Sequence, residues 1–401
     1  MASVGTHLQL AAKGPQEAVL YGEDPSPFRP GCTKTHTRFA IETKEEVIPD
    51  GCLLGKENVM TIPRSGDMLG NIILEFRLPA LPDAGPTDAW VDQIGHVLLR
   101  RVKFAIDDIE LSNSERLWYD ISDRLFLKES YRQGMNEMIG KGRTLSLQKS
   151  HIVYVPLKLF CCKNHHEIQN FFPLLTMPGS KLYLTLDIER FENCVTGYSG
   201  TTTPQSIPCT VLLDYVFLDT AEKERMINRP HTILVETEQD AEALSYKELL
   251  SDDGDVRIPL DSVKVDLSEV NYPVKFLAWV VYANNDVQNK RYFTYLGDTR
   301  TSTLLLDGVE RFSSQEGGYF QLIEKFYKTL RAPGDDQVFL YSFALDASSW
   351  QPCGHLTFGE VSKPVLQVDL TDKRPDRVVK VFMVGYKFLD IQRGRVNVRF
   401  T

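Results

Sequence analysis

The cleanest alternation of apolar and polar positions lies at residues 181–188. There Leu182, Leu184, Leu186 and Ile188 alternate with mostly polar neighbours, which predicts a strand with one face in a core. Similar short runs recur at 38–47, 58–62, 71–78, 97–106, 151–159 and 210–218, with turn residues between them, and this spacing predicts an all-β sandwich. One stretch has a different period. Over residues 114–130, Leu117, Ile121, Leu125 and Leu127 form a stripe at helical spacing behind Ser114, a candidate N-cap, so a helix is expected there and a polar loop over 134–146.

The second half repeats this order. Tyr319, Phe320, Phe326 and Tyr327 read as the aromatic anchors of a helix, followed by a strand over 338–345, an alternating strand (Leu366, Val368, Leu370) and a closing strand over 378–389. Both closing strands carry Tyr-x-Phe-Leu-Asp, from Tyr215 to Asp219 and from Tyr386 to Asp390, which favours a duplicated domain. Between the halves, residues 220–228 are charged and helix-compatible until Arg229-Pro230 stops them, placing a boundary near residue 222. Gly14-Pro15 and Asp24-Pro25-Ser26-Pro27 break up the amino-terminal stretch. The expected organisation is an arm over 1–35, a first domain over 36–222 and a second over 223–401.

Residues 337–358 hold the densest pattern. Phe339, Tyr341, Phe343 and Leu345 fall on one side of an extended chain, and the smaller set Leu340, Ser342 and Ala344 on the other, as in a strand with close contacts on both faces. The bulky side is expected to meet the second domain's core, the small side the first domain or a neighbouring subunit. Asp346, Ser348 and Ser349 then break the pattern, Gln351-Pro352-Cys353-Gly354 turns the chain, and a second strand is expected over 355–361.

This passage resembles the major capsid proteins of the nucleocytoplasmic large DNA viruses. That family carries Tyr-Ser-Phe-Ala-Leu, a short spacer and Gln-Pro-x-Gly before an aromatic-containing strand; here these are Tyr341 to Leu345, Gln351 to Gly354, and Phe358. Further matches follow in family order: His36-Thr37-x-Phe39-Ala40, the run from Thr61 to Asp67, Trp90-Val91 with Gly95-His96, Val155-Pro156-Leu157, and Asp214-Tyr215 with Leu218-Asp219. The resemblance implies two tandem eight-stranded jelly-roll β-sandwiches with a few short helices in loops. It implies a structural protein without catalytic, cofactor or metal residues, forming a homotrimer of nearly hexagonal outline, with the arm running beneath it. Its expected partners are neighbouring capsomers and minor capsid proteins, with an inner viral membrane close by; its expected place is the virion capsid, after assembly in the host cytoplasm. It also marks Tyr341, Phe343, Ala344, Leu345, Gln351, Pro352 and Gly354 as a motif at an assembly interface.

Some residues depart from the family: Asp107-Asp108 stands where Gly-Gly is frequent, residues 326–329 lack a His-rich segment, and Cys353 replaces a frequent Ser. The choice between the abundant shell protein, a paralogue, and a scaffold protein of the same fold stays open. A carbohydrate-binding or cupin-like module is the alternative from another class.

Composition narrows the classes. A chain of 401 residues, 42% hydrophobic and 25% charged, is long enough for two cores. A net charge of −9 argues against coating nucleic acid, which takes a basic face. The most apolar run, 276–283, falls far short of the roughly 20 residues that span a bilayer. The first ten residues show no secretory signal, no Asn-x-Ser/Thr acceptor occurs, and the 7 cysteines lack the spacing of a disulfide framework.

Candidate chemistry is sparse. Cys161, Cys162, His165 and His166 lie close in sequence, but adjacent ligand pairs converge poorly on one tetrahedral ion. Residues 51–56 lack the spacing and hydroxyl of a nucleotide loop, and Gly197-Tyr198-Ser199-Gly200 lacks a spacer of the nucleophile elbow. No His-x-His pair of a cupin occurs. Arg64-Ser65-Gly66-Asp67 reads as a turn with Gly66 supplying a permissive backbone, and Asp107-Asp108 as a hairpin turn. Asp266 and Asp369 read as outward-facing, and Trp90, Trp118, Trp279 and Trp350 as core or interface anchors rather than sugar platforms. No small-molecule substrate is expected.

Overall fold

The computed structural model describes residues 3–12, 37–162, 170–249, 256–329, 334, 337–372, 374–392 and 394–399. Eight strands build a first sandwich: β1 (Phe39–Val47), β2 (Glu57–Thr61), β3 (Met68–Leu78), β4 (Leu99–Ile106), β5 (Ile109–Glu115), β6 (His151–Pro156), β7 (Leu182–Ile188) and β8 (Cys209–Leu218). They pair in the orders β1-β8-β3-β6 and β2-β7-β4-β5. The next eight are β9 (His231–Leu244), β10 (Ser262–Asp266), β11 (Pro273–Ala283), β12 (Thr299–Leu306), β13 (Val309–Glu316), β14 (Phe339–Ser342), β15 (Pro364–Leu370) and β16 (Arg377–Gln392). Their sheets run β9-β16-β11-β14 and β10-β15-β12-β13, the first order with eight added to every label. The fold is therefore two tandem eight-stranded jelly rolls, with short helices in the loops.

The alternations place side chains as the period of two requires. Leu182, Leu184, Leu186 and Ile188 are buried in the first core, and Leu366, Val368 and Leu370 in the second. Strand β11 is apolar throughout because both its faces are covered: Leu277, Trp279 and Val281 enter the second core, while Phe276, Ala278 and Val280 meet the other domain. Each such large side chain contributes about 1.5–3 kcal/mol by leaving water.

Matching hairpins fix both domains at the same place. Asp107 (φ 50°) opens the turn between β4 and β5, and Asp307 (φ 52°) the turn between β12 and β13. The Asp107 carboxylate accepts the Lys181 N–H at 2.8 Å, and the Asp307 carboxylate the Lys363 N–H at 2.9 Å. Asp107-Asp108 is thus a hairpin turn whose first carboxylate ties it to the start of β7.

Several expectations need correcting. Ser114 lies within strand β5, one residue before its end, and its hydroxyl donates to Glu238; the helix α2 is Arg116–Phe126 and begins after Glu115, without a side-chain cap. The expected loop over 134–146 opens inside a second helix, α3 (Glu129–Ile139), in which only Ile139 is buried, so no apolar stripe announced it. The arm contains helix α1 (Val4–Ala11), capped by the Ser3 hydroxyl, with Thr6 donating to Glu42 of β1 at 2.7 Å. The strand expected over 338–345 ends at Ser342, and the one over 355–361 shrinks to Leu356–Thr357 before a 3₁₀ turn at Phe358–Glu360. Gly66 is needed for space rather than for a left-handed backbone, since a Cβ there would lie 2.6 Å from the Tyr215 Cβ.

The shared pentapeptide faces two ways. Tyr215 is buried in the first core with its hydroxyl donating to the Pro63 carbonyl, whereas Tyr386 lies outside the second core, under the ammonium of Lys275. The repeat resides in strand order, not in those five residues.

A seam between the sandwiches and a clasp over it

Helix α2 is the centre of the contact between the two domains. Its stripe of Leu117, Trp118, Ile121, Leu125 and Phe126 packs on the outer face of the second domain's sheet, against Phe276, Ala278 and Val280 of β11, Phe382 and Val384 of β16, and Leu340 of β14. The Trp118 ring lies 5.6 Å from Phe382 and 6.3 Å from Phe276, and Phe126 lies 5.5 Å from Phe276. Polar groups rim this apolar centre. Lys380 reaches Glu115 at 2.9 Å and Asp240 at 2.6 Å; burial opposes its charge, but these carboxylates outweigh burial and raise the ammonium above its ordinary range. Tyr292 donates to the Asn193 carbonyl at 3.0 Å and Lys290 to that of Val195 at 2.7 Å, so second-domain side chains also tie into the first.

Behind α2, Asp120 is fully buried and bonded by Arg124 at 2.6 Å, Gln93 at 2.9 Å and Lys141 at 3.0 Å. Burial would raise its carboxyl, but the two cations win and hold it at about 2. His96, bonded to the same Gln93 at 2.7 Å, is pushed down to about 4 by desolvation and sits neutral at physiological pH. These groups fix the base of the helix.

The residues after β14 fold into a clasp across the seam. Leu345 N–H donates to the Cys353 carbonyl at 3.3 Å, and Ala347 N–H to that of Lys328 at 2.8 Å, while the Lys328 ammonium returns to the Ala344 carbonyl at 3.0 Å. Lys275, fully buried on β11, donates to the Ser349 carbonyl at 2.7 Å and lies 3.5 Å from the Glu236 carboxylate. At Gly354 (φ 138°) a Cβ would sit 2.6 Å from the Phe343 carbonyl, so only glycine lets the loop close.

The motif residues therefore divide. Tyr341 and Phe343 pack half-buried on the second core, beside Phe312 and Phe358, and Ala344 is wholly buried. Leu345 is 76% exposed, on the opposite side to that expected, because the strand has already ended; Gln351 and Pro352 are exposed too. Ala347 enters the seam, and Trp350 touches the first core. Sequence reasoning missed Lys275, Lys380 and Glu238, although the acids at 236, 238, 240 and 242 carry a strand's period.

Glu238 lies where β9 crosses β5. Desolvation, with Glu236 and Asp240 beside it, raises its carboxyl from 4.5 to about 7 against the opposing bond from Ser114. A raised carboxyl favours the protonated folded state, so its contribution is present below about pH 4.5 and is lost as pH rises through 7. Relative to Glu238→Gln, the native chain is expected to lose up to about 3 kcal/mol between roughly pH 5 and pH 8. Denaturant titrations of both proteins across that range check this; parallel pH profiles would contradict it.

The described residues bring no metal site together. Among them no cluster of three or more His, Cys, Asp or Glu could hold a metal ion, and no helix is long and apolar enough to cross a membrane. Cys161 and Cys162 are buried in the first core, while His165 and His166 lie outside the described residues.

Known proteins share both the sequence pattern and the fold. Residues 28–219 match the family described as major capsid protein N-terminus, and residues 222–396 the family described as large eukaryotic DNA virus major capsid protein. The major capsid protein of Pyramimonas orientalis virus is 26% identical, and that of Phaeocystis pouchetii virus 24% identical, each alignment covering 99% of both chains. The PBCV-1 virus capsid structure superposes with a TM-score of 0.76 at 20% identity, over 94% of this chain and 100% of that one. The chain belongs to the major capsid protein family of large eukaryotic DNA viruses; it is a structural protein of the virion capsid, not an enzyme.

Proposed function

We propose that three copies of this chain form a homotrimeric capsomer whose six sandwiches give it a nearly hexagonal outline. The carrying observation is the identical strand order of the two sandwiches in one chain, joined side by side through α2. Three such pairs around a three-fold axis approximate six equal units, which tile a plane. The working divisions are the arm over 1–35, a first unit over 36–222 and a second over 223–401, with helix Thr220–Ile227 at the join.

Within the motif, Ala344 and Gly354 serve the clasp, Tyr341 and Phe343 the second core, and the exposed Leu345, Gln351 and Pro352 face a neighbouring copy. Neighbouring capsomers and minor capsid proteins are the further partners, an inner viral membrane lies close by, and assembly takes place in the host cytoplasm. The net charge of −9 supports a shell unit without direct contact to nucleic acid. The test is the mass of the purified full chain in solution. A stable species near three times 45.6 kDa is expected, and a monomer or a two-fold dimer as the final state would defeat the proposal.

A further inference from the structure

Within one chain, a helix of the first sandwich covers the outer sheet face of the second. The strand pairing defines what corresponds to that helix in the other domain. Glu115 at the end of β5 pairs with Arg101, which pairs with Asp187; Glu316 at the end of β13 pairs with Thr301, which pairs with Asp369. Counting four residues on from each glutamate reaches Tyr119 and Phe320, each wholly buried in its own sandwich core. The segment after β13 is helical too, a π-helical stretch Tyr319–Ile323 running into an α-helix Glu324–Lys328. Counted along the chain, Ile121 corresponds to Leu322, Leu125 to Phe326 and Phe126 to Tyr327.

The first set is covered and the second is bare. Ile121, Leu125 and Phe126 are all buried in the seam, whereas Leu322, Phe326 and Tyr327 are 50%, 62% and 74% exposed. Phe326 and Tyr327, expected from sequence to anchor a core, are instead largely exposed, with their rings 5.2 Å apart. The acceptor face has a partly open counterpart. In the first sandwich Ile72, Leu74, Val153, Val155, Val211 and Leu213 point into the core, so Ile73, Ile152, Tyr154 and Leu212 share the outer face of the β1-β8-β3-β6 sheet. Leu212 pairs with Ile73, and Ile152 is 50% exposed. One chain therefore carries an exposed donor helix and an acceptor sheet face on which Ile152 is exposed and Ile73, Tyr154 and Leu212 are half-buried.

We infer that Leu322, Phe326 and Tyr327 dock on the outer face around Ile73, Leu212, Ile152 and Tyr154 of a second copy, repeating between chains the α2 seam within each chain. The inference rests on the trimer reading and names its contact. The donor and acceptor differ, so the contact is head-to-tail, and a rotation of about 120° per copy closes it into a ring of three. Each chain then gives one helix and receives one, and six helix-on-sheet seams run around the capsomer, three within chains and three between them.

The experiment compares the full-length chain with Phe326→Glu/Tyr327→Glu and with Ile152→Glu, which alter opposite sides of the same seam. All three sites are exposed in the single chain, so melting temperatures should stay within about 2 °C of one another when measured on monomers. Native mass should show a trimer for the unaltered protein and loss of that peak in both variants at the same concentration. If either glutamate variant melts early, Phe326→Ala/Tyr327→Ala and Ile152→Ala take its place, with at least a tenfold rise in the concentration needed for trimer. A trimer persisting unchanged in both sides' variants, or lost on one side alone, would overturn the seam while leaving the trimer standing. An unaltered protein that stays monomeric would overturn the trimer reading and this contact together.

Discussion

Replacing Trp118 with alanine is expected to cost about 3–5 kcal/mol and to separate the unfolding of the two sandwiches. The indole is buried between Phe276 and Phe382, 6.3 and 5.6 Å from their rings. Removing it leaves a void in the apolar centre of the seam, because the facing strand β11 is fixed from behind by Leu277, Trp279 and Val281 in the second core. Each sandwich keeps its own core, so the loss falls on the coupling between them. Calorimetry should show one transition in the native chain and a broadened or divided one in Trp118→Ala, with the earlier event several degrees lower. An unchanged single transition would mean that the seam contributes little.

Replacing Ala344 with tryptophan should damage folding more than most surface changes could. Ala344 is wholly buried, its N–H is held by the Ser342 hydroxyl at 3.2 Å, and its carbonyl accepts from Lys328. Gly354 already presses on it: a Cβ at Gly354 would lie 3.1 Å from the Ala344 Cα. No room exists for an indole without opening the clasp, at a cost of about 3 kcal/mol or more. The observable result is a poor yield of soluble protein, or a chain whose clasp is cleaved by protease at rates far above native. A fully folded, protease-resistant Ala344→Trp protein would refute the clasp as described.

How much was legible depended on which face a segment covers. Leu182 to Ile188 alternate cleanly because one side meets the core and the other meets water, so the period of two survives in the sequence. The α2 stripe was legible for a similar reason, yet its start was misplaced, since Ser114 can cap a helix or end a strand and the buried Glu238 decided for the strand. Helix α3 left no stripe because a single residue of it is buried, and Gly134 within it faces open space. Strand β9 was passed over because its acids look like a solvated face; Lys380 and Arg101, distant in sequence, turn that face into part of the seam.

The aromatic residues mark where periodicity could not decide. Phe320 and Phe326 look alike in a helical pattern, but one is buried in the second core and the other is exposed. A pattern records that a face is apolar, not whether its cover comes from the same chain. The motif from Tyr341 to Gly354 was recognisable from its family, while its physical work, closing a loop over Lys275 and wedging Ala347 into the seam, depends on contacts with β11 and α2 that local spacing does not encode.

An electron-microscopy reconstruction of the purified native particle, processed without imposed symmetry, tests the capsomer most directly. Six β-sandwiches arranged around one three-fold axis, with the second-domain helix of each chain seated on the first sandwich of the next, are what the account predicts. A lone chain, or copies related by a two-fold axis through some other surface, would contradict it.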